Sequence, residues 1–184
     1  MSNLSYSTGF QGVADAFMRD AKLYAPLLEF INNVMTRPSD LSIADREIIA
    51  GYVSHLNGCG FCIGVHEATL TALGIEKTIV DQLGKGPEST AVDDRMSAIL
   101  AFSKKLTRLP ETVQKADIDV LTENGWSEQA IEDAMNVVSL FSYMNRLIDG
   151  IGIEGDQGYF DVVGKSLATQ GYEPLVDMAR RKAA

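Results

Sequence analysis

The chemically versatile residues of this chain are concentrated between Glu47 and His66. Both cysteines of the protein, Cys59 and Cys62, and both of its histidines, His55 and His66, fall in this stretch, whose sequence is EIIAGYVSHLNGCGFCIGVH. Cys62 follows Cys59 by three positions, and His66 follows Cys62 by four. Two thiols, an imidazole and a carboxylate in such proximity could support thiol redox chemistry coupled to proton transfer.

The first element that must position these residues is a predicted helix over about 42–56. Its apolar residues recur at helical intervals, and Ser42 with Asp45 three positions later is typical of an N-terminal cap. We expect Asn57 and Gly58 to end this helix, because both residues tolerate a left-handed backbone.

A second predicted helix begins near Cys59 and runs to about Leu73, where Gly74 closes it. Cys62 and His66 lie one turn apart in this helix and therefore share a face. The cysteines lie at its N-terminus, the positive end of the helix dipole. A thiol at that end and near an imidazole loses its proton more readily than a free cysteine does.

The two cysteines are close enough in sequence for their sulfurs to join. Oxidation of one sulfur to a sulfenic acid can then be resolved by the other to a disulfide. Glu47 belongs to the preceding helix, and an antiparallel hairpin would bring it against His66, where it could orient the imidazole and accept its proton directly or through water. His55 lies two turns after Glu47, and we expect it near the mouth of the site.

Glu47, the run Cys59-Gly-Phe-Cys62 and His66 together resemble the signature of the AhpD-like, carboxymuconolactone decarboxylase superfamily. The segment 137–153, VVSLFSYMNRLIDGIGI, is similar to the Asn-Arg segment of the peroxidase-related branch of that superfamily. The resemblance covers at least residues 40–153. One departure is Phe61, since AhpD itself has a histidine between its cysteines.

The resemblance implies an all-α, AhpD-like helical bundle with its active site on a helical hairpin, assembled as a homotrimer or homohexamer. It also implies reduction of a hydroperoxide, with Cys62 as the attacking thiol, Cys59 as the resolving thiol, and Glu47 with His66 as a proton relay. The implied reductant is an external dithiol of the lipoyl or thioredoxin type, with no cofactor beyond the disulfide. The spacing agrees with Cys62 as the attacking thiol, because His66 is one turn away from it. The helix dipole favours the other cysteine, because Cys59 is nearer the helix start and its thiolate should be stabilised more.

The composition limits the class of protein. A chain of 184 residues predicts a single domain over 1–184, with a core at about 40–153 and helical extensions at both ends. No apolar run approaches the roughly 20 residues of a membrane helix, and MSNLSYSTGF does not read as a signal peptide. We therefore expect a cytoplasmic protein without a membrane partner. The net charge of −9 makes nucleic acid an unexpected partner.

The rest of the chain also favours helices, because no run alternates as strands do. Residues 9–36 predict amphipathic helices broken between Lys22 and Pro26. Residues 93–107 predict another, and the longest starts at Ser127 and runs to about Leu147.

Arg146 lies in this longest, largely apolar helix. If it is buried, its guanidinium must be paired, with Asp149 or across a subunit contact, and a structural role is favoured over substrate binding. The run from Gly150 to Gly155 matches the dinucleotide pattern GxGxxG, but a helix and not a strand precedes it, so we predict no dinucleotide site.

Other interpretations of the cysteine stretch remain open. The thiols and His66 could simply be buried packing residues, or they could bind zinc together with Glu47, although three of these ligands would share a turn and a half of one helix. The alternative functions are a carboxymuconolactone decarboxylase-like lyase acting on a ring lactone and a non-enzymatic oligomer switched by the disulfide.

Overall fold

The computed structural model describes residues 2–184, and within them the backbone forms ten α-helices and three short 3₁₀ turns, with no strand. The all-α prediction is confirmed. The helices are α1 (Val13–Arg19), α2 (Ala21–Thr36), α3 (Ile43–Asn57), α4 (Gly60–Ala72), α5 (Lys77–Gln82), α6 (Asp94–Arg108), α7 (Lys115–Glu123), α8 (Glu128–Ile151), α9 (Gln157–Gln170) and α10 (Glu173–Ala183).

Helices α3 and α4 form the predicted hairpin, with boundaries within about a residue of those expected. Ser42 caps α3: its hydroxyl accepts from the Asp45 N–H at 3.1 Å, and the Asp45 carboxylate accepts from the Ser42 N–H at 3.0 Å. Gly58 ends α3 in the left-handed region with φ of 76°. Cys59 then caps the start of α4, so the chain reverses over two residues.

The break predicted between Lys22 and Pro26 is wrong. The chain breaks at Asp20, whose carboxylate accepts from the Leu23 N–H at 3.2 Å, and α2 continues through Pro26. Proline removes the hydrogen bond to the carbonyl four residues earlier. Both Lys22 and Pro26 are exposed, so water can satisfy that carbonyl, and the buried apolar stripe of α2 holds the helix together.

Helix α8 runs through the middle of the bundle, packed against α3 and α6. It extends four residues beyond the predicted end and stops at Gly152, which is left-handed with φ of 79°. Its buried side of apolar residues reaches from Ala130 to Ile151.

Helix α9 packs closely along α4, and α10 packs along α2. A Cβ atom added at Gly164 of α9 would lie 2.6 Å from the Ala68 carbonyl carbon of α4, so the two backbones meet without side chains between them. Helix α4, which carries Cys62 and His66, is thereby enclosed by α3, α8 and α9. None of the helices described in residues 2–184 has the length and apolar character needed to cross a membrane.

Candidate active site

The two cysteines form a disulfide at the start of α4. Their Cα atoms are 5.4 Å apart, with Cys59 at the N-cap and Cys62 in the first turn. The Cys59 N–H donates to the Ser54 carbonyl at 3.1 Å, which fixes the reversal of the chain. Both residues are buried, Cys59 fully and Cys62 to within 4%. The two cysteines therefore lie at the positive end of a helix dipole and inside the protein.

His66 and Glu47 meet across the hairpin, as their positions predicted. The Nδ1 atom of His66 lies 2.7 Å from the Glu47 carboxylate, and both residues are at most 2% exposed. An ionised carboxylate can only accept, so the proton of this bond belongs to Nδ1 and the Nε2 atom is left to act as a base. The imidazole also packs edge-on against Phe141, with ring centroids 4.5 Å apart. Its orientation is thus set from two sides.

A narrow cavity of about 70 Å³ lies against this arrangement. Cys62 and His66 both line it, whereas Cys59 does not. The walls are otherwise mainly aliphatic and aromatic, and include Phe17, Leu28, Ile31, Phe61, Phe141 and Met144. Of the two sulfurs, the one on the cavity side therefore belongs to Cys62.

Tyr172, at the turn between α9 and α10, also lines the cavity and was not predicted from the sequence. The residue is partly exposed, but its hydroxyl is buried. This burial raises the pKa of Tyr172 well above the usual value of a phenol, and the nearby Glu47 carboxylate acts in the same direction. The sequence gives no signal for this contact, which joins residues more than a hundred positions apart.

His55 does not line the cavity. Its Nε2 atom lies 2.9 Å from the Glu67 carboxylate, on a partly exposed part of the seam between α3 and α4, and its ring packs against Gly84. The expectation that His55 stands at the mouth of the site finds no support in this placement.

Arg146 is exposed in the single chain, so the burial that its apolar neighbours in the sequence suggested is wrong. Its Nη1 atom donates to the Ser142 carbonyl within α8. At 100° per residue, Arg146 lies on the face opposite Phe141 and Met144, which line the cavity. The solvated guanidinium therefore needs no carboxylate partner.

The buried polar residue of this segment is Asn145, one position earlier. Its Nδ2 atom donates to the Ser54 hydroxyl at 3.0 Å, and its Oδ1 atom accepts from the Asn57 side chain at 2.9 Å. These bonds tie the last turn of α3, immediately before Cys59, to the C-terminal half of α8. Asn145 thus holds the end of α3 in place, next to the start of α4.

No group of three or more His, Cys, Asp or Glu side chains in the described chain is placed to hold a metal ion. The two sulfurs are joined to each other, and His66 Nδ1 is engaged by Glu47. The Gly150–Gly155 run spans the end of α8 and the loop after it, so a helix precedes it, as predicted.

Comparisons with known proteins indicate which family the hairpin region resembles. The model of the carboxymuconolactone decarboxylase family matches residues 21–105, which include the whole α3–α4 hairpin. A peroxidase-related protein from Silicibacter sp. TM1040 has a similar structure, with a TM-score of 0.76 and 27% identity over 80% of this chain and 78% of that one. The region of the α3–α4 hairpin thus matches the carboxymuconolactone decarboxylase family, and the fold of the chain is AhpD-like. The resemblance indicated by the sequence, including its peroxidase-related branch, is confirmed.

Two further solved structures share the AhpD-like fold at lower sequence identity. A structure from Ralstonia eutropha JMP134, described as an alkylhydroperoxidase AhpD core and peroxidase-related protein, has a TM-score of 0.76 at 22% identity, covering 82% of this chain and 78% of that one. A protein of unknown function from Agrobacterium tumefaciens, whose description refers to AhpD-type antioxidant defence, has a TM-score of 0.68 at 19% identity. The match covers 85% of this chain and 99% of that one. The uncharacterised protein YdfG of Bacillus subtilis is 23% identical over 117 residues, which are 64% of this chain and 80% of YdfG.

Proposed function

We propose that this AhpD-like protein is a thiol-dependent hydroperoxide reductase with an antioxidant role. One observation carries the proposal: Cys62 and His66 line the same cavity, while Glu47 holds the imidazole through a 2.7 Å hydrogen bond. The peroxidase-related and AhpD-type descriptions of the structural relatives point to the same class of reaction.

The oxidative half-reaction starts from the reduced pair. The Nε2 atom of His66 takes the proton of the Cys62 thiol, and the Glu47 carboxylate stabilises the resulting imidazolium. The Cys62 thiolate attacks the terminal oxygen of the hydroperoxide, an S–O bond forms and the O–O bond breaks. Cys62 is left as a sulfenic acid, and the departing alkoxide takes the proton from His66 to become an alcohol.

Cys59 then resolves the sulfenic acid. Its sulfur attacks the sulfur of Cys62, a disulfide forms, and the hydroxide that leaves combines with the proton of the Cys59 thiol to give water. Two electrons thus pass from the dithiol to the peroxide. An external dithiol, of the lipoyl or thioredoxin type, reduces the disulfide by exchange, and no other cofactor enters the cycle.

The proposal includes a cytoplasmic setting, where dithiol reductants are present, and assembly as a homotrimer or homohexamer. Exposed apolar side chains are available for such assembly. They include Leu23 and Phe30 on α2 and Val162 on α9, which are 63%, 49% and 71% exposed in the single chain.

The proposal is tested by measuring hydroperoxide reduction with several dithiol donors for the wild type and for the Cys59→Ser and Cys62→Ser variants. Turnover should be lost in both variants, and turnover that is unchanged in both rejects the mechanism. Mass spectrometry after peroxide treatment assigns the roles. A sulfenic acid on Cys62 is expected in Cys59→Ser, and trapping it only on Cys59 would reverse the assignment.

The same samples separate the alternative functions. A lyase acting on a ring lactone would keep its activity without the cysteines. A redox-switched oligomer would change its elution on size exclusion between the reduced and oxidised states while showing no peroxide turnover.

A further inference from the structure

The cavity at the redox pair contains few groups that can donate a hydrogen bond. Among the described residues that line it, only Cys62, His66 and Tyr172 carry a donor on their side chains. The positions between the cysteines, Gly60 and Phe61, have no polar side-chain atom. Tyr172 is therefore the one cavity donor that the thiol and proton-relay steps leave without a role.

Tyr172 is held in place by its backbone. Its N–H donates to the Asn32 side-chain oxygen at 3.1 Å, and the Asn32 amide donates to the Glu173 carboxylate at 2.8 Å. The preceding Gly171 has φ of 60°, and a Cβ atom there would come within 2.8 Å of the Thr36 side chain. The turn between α9 and α10 is thus held against α2, and this contact fixes the backbone from which the Tyr172 side chain extends.

The hydroxyl also has a defined protonation state. Burial and the neighbouring Glu47 both raise the pKa of Tyr172, so the phenol keeps its proton at neutral pH. It can act there as a hydrogen-bond donor and not as a base. Such a donor is most useful where negative charge develops during a reaction inside an apolar site.

We propose that Tyr172 donates a hydrogen bond to the leaving oxygen of a hydroperoxide bound in the cavity, a role that rests on the peroxidase function proposed above. As the S–O bond forms and the O–O bond breaks, negative charge accumulates on the alkoxide oxygen. Tyr172 stabilises that charge, and His66 supplies the proton that converts the alkoxide to the alcohol. Tyr172 has the same proton before and after the step.

The test compares two oxidants of similar size whose leaving groups differ in basicity, ethyl hydroperoxide and peracetic acid. The second-order rate constant for oxidation of Cys62 is measured in single turnovers by rapid quenching and mass spectrometry, in the Cys59→Ser background. Tyr172→Phe should lower the rate constant for oxidation by ethyl hydroperoxide about 100-fold, which is the order of loss on removing one preorganised donor. The same substitution should lower the rate constant for oxidation by peracetic acid by less than about threefold, because acetate leaves as a stable anion and gains little from a hydrogen-bond donor.

The matched control is Tyr52→Phe, which removes the hydroxyl of a buried tyrosine that does not line the cavity. Both rate constants should stay near those of the parent. The ratio of the two rate constants is measured on one sample, so an unfolded fraction lowers both equally and leaves the ratio unchanged. A second variant, Tyr172→Met, should give the same ratio as Tyr172→Phe.

Two results overturn the inference while leaving the proposed function standing. An equal loss for both oxidants assigns Tyr172 to shaping the cavity alone, and no loss for either removes it from the reaction. If the parent protein reduces neither oxidant, the proposed function fails, and the role of Tyr172 fails with it.

Discussion

Two Glu–His pairs join α3 to α4, and they offer a controlled test of the proton relay. Glu47 and His66 form the pair inside the site, at 2.7 Å, with side chains that are 3% and 2% exposed. Glu67 and His55 form a similar pair at 2.9 Å, with side chains that are 35% and 24% exposed. Glu47→Gln and Glu67→Gln are therefore the same substitution at a buried and at a solvated pair.

The expected loss follows from the charge that forms during the reaction. Transfer of the Cys62 proton makes His66 an imidazolium, whose attraction to the Glu47 carboxylate is about 4 kcal/mol for charges roughly 4 Å apart at an effective dielectric constant of about 20. Glutamine can still accept the Nδ1 proton, and that neutral hydrogen bond retains about 1 kcal/mol. The remaining 3 kcal/mol or so corresponds to a loss of about 10² to 10³ in rate.

The assay is the single-turnover oxidation of Cys62 by an organic hydroperoxide between about pH 6 and 9. The oxidation rate of Glu47→Gln should be about 10² to 10³ times lower than that of the wild type near neutral pH. The rate should recover as the pH rises, since hydroxide then removes the thiol proton without the relay. Alkylation by iodoacetamide should fall in parallel, because it needs the same thiolate. Glu67→Gln should change either rate by less than about threefold, as expected for an exposed ion pair. A Glu47→Gln rate equal to that of the wild type at neutral pH, or an equal loss in Glu67→Gln, would refute the relay.

Two further predictions concern the elements that hold the site. Asn145→Ala should lower the free energy of unfolding, measured in urea, by about 2–4 kcal/mol, because it removes the buried partner of both Ser54 and Asn57. The control is Asn136→Ala, whose side chain bonds to a carbonyl within α8, and it should lower that free energy by less than about 1 kcal/mol. Equal losses in the two variants would contradict the supporting role of Asn145. Gly164→Ala should lower the melting temperature, with a cost of about 1–3 kcal/mol, because its Cβ would meet the Ala68 backbone. Gly150→Ala in α8, where a Cβ has no neighbour within 4 Å, should be neutral or stabilising by up to about 1 kcal/mol, so similar shifts in the two variants would be inconsistent with close packing of α4 on α9.

The hairpin could be predicted from the sequence because its determinants are local. The Ser42–Asp45 cap, the left-handed Gly58 and the four-residue step from Cys62 to His66 each act within one turn of helix. Only the pairing of α3 with α4 involves a longer separation, and a two-residue reversal leaves little choice in that pairing. The convergence of Glu47 on His66 follows from this geometry.

The remaining parts of the site depend on contacts between distant helices. Tyr172 and Asn145 reach the site from α10 and α8, and neither periodicity nor capping specifies which helices become neighbours. The expectation about Arg146 failed for a related reason. Apolar neighbours in sequence describe the helix as a whole, whereas burial is decided face by face, and here Asn145 rather than Arg146 faces α3.

The division between local and distant determinants also applies to the site itself, where the residues proposed for the reaction differ in origin from much of the cavity wall. The matched family region, residues 21–105, contains the cysteines, His66 and Glu47, but it ends before α8 and the turn at Tyr172. The residues proposed for the thiol chemistry therefore all lie on the hairpin, while much of the cavity wall, including Phe141 and Tyr172, comes from outside that region. Substitutions at Tyr172 should accordingly change how the leaving group is stabilised. Substitutions at Phe141, which packs against the His66 ring, should affect the proton relay as well as the shape of the cavity.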